Sequence, residues 1–121
     1  MTIRYVLDTN VVLYLLGGRL INPLPIGEFY LSVISEMEIL SYHSLTGPER
    51  LRIQQFLSQV TIVDLGGSLK REAIALRQKY RLKLPDAIVC ATALSIGGTL
   101  LSNDVQLGRV TEINVEMVAI Q

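Results

Sequence analysis

The stretch Tyr5-Val6-Leu7-Asp8-Thr9-Asn10-Val11-Val12 sets an acid, a hydroxyl and an amide between two apolar runs. A run this short, apolar at successive positions and β-branched, suits a strand covered on both faces, which in turn requires helices on either side of a sheet. Asp8 then stands where the strand ends, at the mouth of the sheet, and Thr9 or Asn10 opens a helix. Every other element has to be compatible with that arrangement.

The remainder of the chain supplies it. Asn10 to Leu16 is apolar on every side and stops at Gly17-Gly18. A sheet covers only one face of such a helix, so its other face is a candidate interface. A proline-containing loop, 19–28, leads to a second strand over Phe29–Ile34, and Ser35 is expected to cap a helix reaching about His43. Gly47-Pro48-Glu49 starts another helix, with Leu51, Phe56, Leu57 and Val60 at roughly helical spacing, before a third strand, Thr61–Leu65. Ser68 is expected to cap a helix through Tyr80, and Leu84-Pro85-Asp86 opens one that ends at Gly97-Gly98. Thr99–Leu101 reads as a fourth strand and Val115–Ile120 as a fifth. Alternation of strands and helices predicts one α/β domain, residues 1–121, a three-layer α/β/α sandwich around a mainly parallel five-stranded sheet. Sites in such folds form at the C-terminal ends of strands where the strand order reverses. If strands one and four are central neighbours, Asp8 and Asp104 face each other there.

Composition narrows the chemistry. Apolar residues make up 50% of the chain and charged residues 18%, against about 25% charged in an average soluble domain. The deficit points to apolar surface covered by a partner or by the helices of a parallel sheet. Eleven basic and eleven acidic residues cancel, so any nucleic-acid contact is local or assisted by a metal. A single cysteine, Cys90, excludes an internal disulfide and a cysteine-based zinc site; in its apolar helix it reads as a small buried hydrophobe. No apolar run approaches the roughly 20 residues of a membrane helix, and the N-terminal pattern is not that of a signal peptide. A cytoplasmic protein is expected.

Four acids, Asp8, Glu38, Asp86 and Asp104, stand near starts of helices or turns. Each has an ordinary explanation. Asp8 can cap the first helix, Ser35 and Glu38 have capping-box spacing, Asp86 lies in a first turn, and Asp104 can cap the turn after the fourth strand. Gathered at one end of a sheet, they would repel and raise each other's pKa values unless a cation were present. Oxygen-only ligands suit Mg²⁺ or Mn²⁺. His43, the one histidine, falls at a helix tail and is expected to be structural or solvent-facing. A phosphoacceptor signalling module, with Asp64 and Ser102 at strand ends, is an alternative; the lack of a second acid beside Asp8 and of a lysine after the fifth strand counts against it.

The ordered set Val6-Leu7-Asp8-Thr9-Asn10, Ser32-Val33-Ile34-Ser35 with Glu38, Leu84-Pro85-Asp86-Ala87-Ile88-Val89 and Leu100-Leu101-Ser102-Asn103-Asp104 resembles the PIN domain, specifically the VapC-type ribonuclease toxins of toxin–antitoxin pairs. The resemblance covers nearly the whole chain. It implies an α/β/α fold with strands one and four adjacent and an acidic Mg²⁺ or Mn²⁺ site of Asp8, Glu38, Asp86 and Asp104. Thr9, Asn10 and Ser102 would hydrogen-bond those ligands. The implied activity is metal-dependent endonucleolytic cleavage of RNA, with an antitoxin helix on the first helix's apolar face and a homodimer as the assembly. A PIN nuclease of RNA processing, outside a toxin pair, is the near variant. Lys79, Tyr80, Arg81 and Lys83 offer phosphate and base-stacking contacts to RNA, or simply cations at a helix C-terminus. The segment after the first helix, short and proline-containing, departs from the family pattern.

Overall fold

A computed structural model describes residues 2–121. In chain order the elements are β1 (Arg4–Leu7), α1 (Thr9–Leu16), β2 (Glu28–Ser32), α2 (Val33–Leu40), α3 (Gly47–Leu57), β3 (Thr61–Val63), α4 (Gly67–Tyr80), α5 (Leu84–Ile96), β4 (Thr99–Ser102) and β5 (Asn114–Met117), with a 3₁₀ turn at Val105–Arg109. The five strands form one sheet in the order β3-β2-β1-β4-β5, and every pairing is parallel. The chain walks outward from β1 to β3, then returns to the other side of β1 with β4. Strand order therefore reverses between β1 and β4, as expected.

The pleat divides the core. Val6 pairs in register with Leu100 and Leu7 with Leu101. Successive side chains of a strand point to opposite faces, so Val6 and Leu100 join the core under α4 and α5, while Leu7 and Leu101 join that under α1, α2 and α3. All four are at most 1% exposed, and each contributes about 1.5–3 kcal/mol by leaving water. From Ala87 to Ala93, α5 is buried at every residue, because Ala87, Ala91 and Ala93 let neighbouring backbones approach. In α1, Val11 and Val12 are buried while Leu13 to Leu16 are half-buried, so part of that helix stays open.

Some boundaries differ from expectation. The second strand stops at Ser32, whose hydroxyl accepts from the Ile34 N–H at 3.2 Å and starts α2 there. That cap overrides the strand preference of Val33 and Ile34, so Ser35 is not a cap but a buried residue inside the helix. Gly66, without a side-chain cap, begins α4 in place of Ser68. The third strand ends at Val63, and the fifth covers Asn114–Met117, with Ile120 instead forming an isolated antiparallel bridge to Leu20. The capping box that does form lies one helix later, between Thr46 and Glu49. Gly27, at the entry to β2, abuts the Ile3 carbonyl so closely that a Cβ would stand 2.5 Å from it. Among the described residues no helix is long and apolar enough to cross a membrane.

Candidate metal centre

Asp8 caps α1 and faces the site at once. Its Oδ1 accepts from the Thr9 N–H at 2.9 Å and its Oδ2 from the Ser102 hydroxyl at 2.7 Å. The same Ser102 oxygen accepts the Asp104 N–H at 3.0 Å, so one buried hydroxyl joins the ends of β1 and β4. Asp104 caps the 3₁₀ turn through the Gln106 N–H at 2.9 Å. Glu38 arrives from α2 and accepts from the Thr9 hydroxyl at 2.8 Å. Asp86 sits in the first turn of α5. A carboxylate that caps with one lone pair keeps others free, so a capping role leaves these acids able to bind a ligand.

Electrostatics bind these residues into one group. Burial pushes the Asp8 carboxyl above its ordinary value; the Ser102 and Thr9 hydrogen bonds pull it back, and the charges of Asp104 and Glu38 push it up again. Asp86 is raised by burial, then by Asp8 and Asp104, with Lys83 opposing and Glu38 adding to the rise. Below them, burial and the charges of Asp8, Asp86 and Asp104 drive the Cys90 thiol up to about 12. Cys90 is therefore a buried thiol kept protonated by its surroundings in the metal-free fold.

The donor set fits a hard divalent cation. Carboxylates and hydroxyls surround the site, the thiol is protonated, and His43 is exposed. Mutual repulsion among buried acids is what a cation relieves. Among the described residues no three acidic, cysteine or histidine side chains are gathered tightly enough to share an ion as they stand; Glu38 accepts from Thr9 and Asp104 from the Gln106 N–H. An ion with a small set of carboxylate contacts and several waters, the habit of Mg²⁺, suits such spacing better than a closed cage.

A PIN domain model matches residues 5–113. The chain belongs to the PIN domain family. No curated protein matches its sequence. Among solved structures, a toxin–antitoxin complex from Klebsiella pneumoniae is 27% identical, with a TM-score of 0.74 over 90% of this chain and 94% of that one. VapBC2 from Rickettsia felis, bound to a DNA fragment from its promoter, is 16% identical with a TM-score of 0.78, covering 97% and 100%. DNA-bound VapBC from Salmonella typhimurium is 19% identical with a TM-score of 0.76, covering 95% and 98%. The resemblance to VapC-type proteins thus extends from the motifs to the fold.

In this PIN domain the four basic and aromatic residues near α5 part company. Lys79 forms an ion pair with Glu112 at 3.1 Å, and the Tyr80 hydroxyl bonds Glu112 and Thr111. Arg81 and Lys83 instead line a cavity of about 280 Å³ with Asp86, Asp104, Leu82, Gln106 and Leu107. Arg81 ends α4 in the left-handed conformation, φ 55° and ψ 43°, which glycine ordinarily takes. Asn10 is exposed on the first turn of α1. The signalling-module alternative falls with the strand order: Asp64 follows β3, an edge strand separated from β1 by β2. Ser35, whose spacing to Glu38 mimics a capping box, is instead buried within α2 and hydrogen-bonded to Thr9. The same spacing puts Ser35 and Glu38 on one face of the helix.

Proposed function

We propose that this PIN domain is a Mg²⁺- or Mn²⁺-dependent endoribonuclease of the VapC toxin type. The observation that carries the reading is the network at the ends of β1 and β4, where the strand order reverses: Ser102 joins Asp8 to the Asp104 backbone, Thr9 beside Asp8 donates to Glu38, and Asp86 lies near enough to feel their charges. In this reading the four carboxylates hold the cation, Ser102 orients Asp8, and Thr9 orients Glu38. Asn10, exposed at the rim, hydrogen-bonds water or substrate. When bound, the ion lowers the pKa of a water and offsets charge on the phosphate. Arg81 and Lys83 hold RNA phosphates beside the acids, which otherwise repel the substrate.

The partner reading rests on the groove lined by Leu13, Leu16, Tyr42, Leu45 and Ile53, with Glu49 and Arg52 at its rim. An amphipathic antitoxin helix has the shape and chemistry to fill it. The toxin–antitoxin complexes among its structural neighbours support that assignment. A homodimer in the cytoplasm completes the reading and accounts for the excess of apolar residues.

The deciding experiment is cleavage of labelled single-stranded RNA with Mn²⁺ or Mg²⁺ by native protein and by Asp8→Asn. Cutting that disappears in the variant and in chelator supports the reading. Cutting that persists in either removes the metal role of Asp8.

A further inference from the structure

Ser35 is fully buried in α2, and its hydroxyl lies 2.8 Å from that of Thr9. Thr9 in turn stands 2.8 Å from Glu38 Oε1. Both contacts have hydrogen-bond length, yet the Thr9 hydroxyl owns one proton. Thr9 donates that proton to Glu38 Oε1, so the Ser35 hydroxyl is the one left to donate at its contact with Thr9. A serine inside a helix ordinarily turns its hydroxyl back to a carbonyl three or four residues earlier. No such bond forms among the described residues; Ser32 takes up the free N–H of Ile34 and Ser35 is left to serve Thr9.

We propose that Ser35 is a positioning residue of the metal centre, whose hydroxyl locks the Thr9 proton onto Glu38 Oε1 and presets that carboxylate for the cation. The proposal rests on the metal reading above. Chained hydroxyls polarise one another, so the terminal bond to the carboxylate is stronger than an isolated one. The chain also leaves Glu38 Oε2 without a hydrogen bond among the described residues, free to turn toward the ion. Without Ser35, Thr9 regains a choice of rotamers and Glu38 loses its fixed orientation.

The test is Mn²⁺ binding, followed by the free-ion electron paramagnetic resonance signal, on the full chain without RNA. Ser35→Ala is expected to bind about tenfold more weakly, the lower end of the effect of deleting a partner of a metal ligand. Ser35→Thr, which retains the hydroxyl, is expected to restore binding. Because Ser35 acts through Thr9, the Thr9→Ala, Ser35→Ala double variant is expected to bind no more weakly than Thr9→Ala alone. A merely structural serine would lower the melting temperature and leave Mn²⁺ affinity at the native level, and that result overturns the proposal, as do independent losses that multiply in the double variant. Should Ser35→Ala not fold, Ser35→Cys keeps the volume, weakens the donor and carries the same expectation. Native protein that binds Mn²⁺ no better than Asp8→Asn would bring down the metal reading and this proposal with it; intact binding in Ser35→Ala brings down the proposal alone.

Discussion

Ser102→Ala is the substitution that tests the centre most directly. The Ser102 hydroxyl is buried, donates to Asp8 Oδ2 at 2.7 Å and accepts from the Asp104 N–H at 3.0 Å. Losing a hydrogen bond to a buried charge costs about 1.5–3 kcal/mol, and leaving the second donor without its partner about 1 kcal/mol more. Asp8 is 6% exposed, so water cannot readily replace the hydroxyl. A net loss of about 2.5–4 kcal/mol is expected in metal-free protein at pH 7, which for a chain of this size lowers the melting temperature by roughly 10–15 °C.

The loss has a pH signature. Asp8 is raised above its ordinary value of 3.8 in the fold, so its contribution to stability is present below that value and lost as pH climbs through the folded pKa. Ser102 is the largest influence holding that pKa down. Removing it moves the folded pKa higher and deepens the deficit at neutral pH, while protonated Asp8 loses only a neutral hydrogen bond of about 1 kcal/mol. Urea unfolding of both proteins between pH 4.5 and 8, in chelator, measures this. A difference under about 0.5 kcal/mol, or one equal at both ends of the range, would refute the account of Ser102 as the clamp on an ionised Asp8.

Metal-free native protein should gain stability as pH is lowered from 7 toward 5, since Asp8 and Asp86 are both raised in the fold, and Mn²⁺ at pH 7 should raise the melting temperature; flat responses in both scans would contradict the repulsion argument. Arg81→Ala and Lys83→Ala should each weaken RNA binding and reduce its salt slope by about 1. Lys79→Ala, whose cation is already paired with Glu112, should leave the slope unchanged in the same anisotropy titrations. Cys90, buried with its thiol pushed up to about 12, should resist a thiol reagent at pH 8 until the protein is unfolded; fast labelling of native protein would mean the centre opens.

Legibility followed the range of the interaction. Asp8, Asp86 and Asp104 were found at element ends because strand period and turn chemistry are local signals. Ser35 and Ser32 were exchanged because both can cap, and which one does depends on where β2 releases the chain. Lys79, Tyr80, Arg81 and Lys83 formed one group in sequence; the loop carrying Glu112 and Thr111 separated them. Asp8 caps α1 and Asp104 caps the 3₁₀ turn, and capping leaves each carboxylate with free lone pairs, so the structural role does not exclude a metal-binding one.

The amino-acid order alone determined an α/β chain with acids at the ends of its strands and helices, because apolar period and capping act over a few residues. Tertiary structure decided that β1 lies beside β4, that Ser102 clamps an Asp8 standing 94 residues away, and that Thr9 comes within hydrogen-bond reach of both Ser35, 26 residues on, and Glu38. Such pairings arise only when packing removes water and leaves each buried polar group to find a partner in space, whatever its distance along the chain.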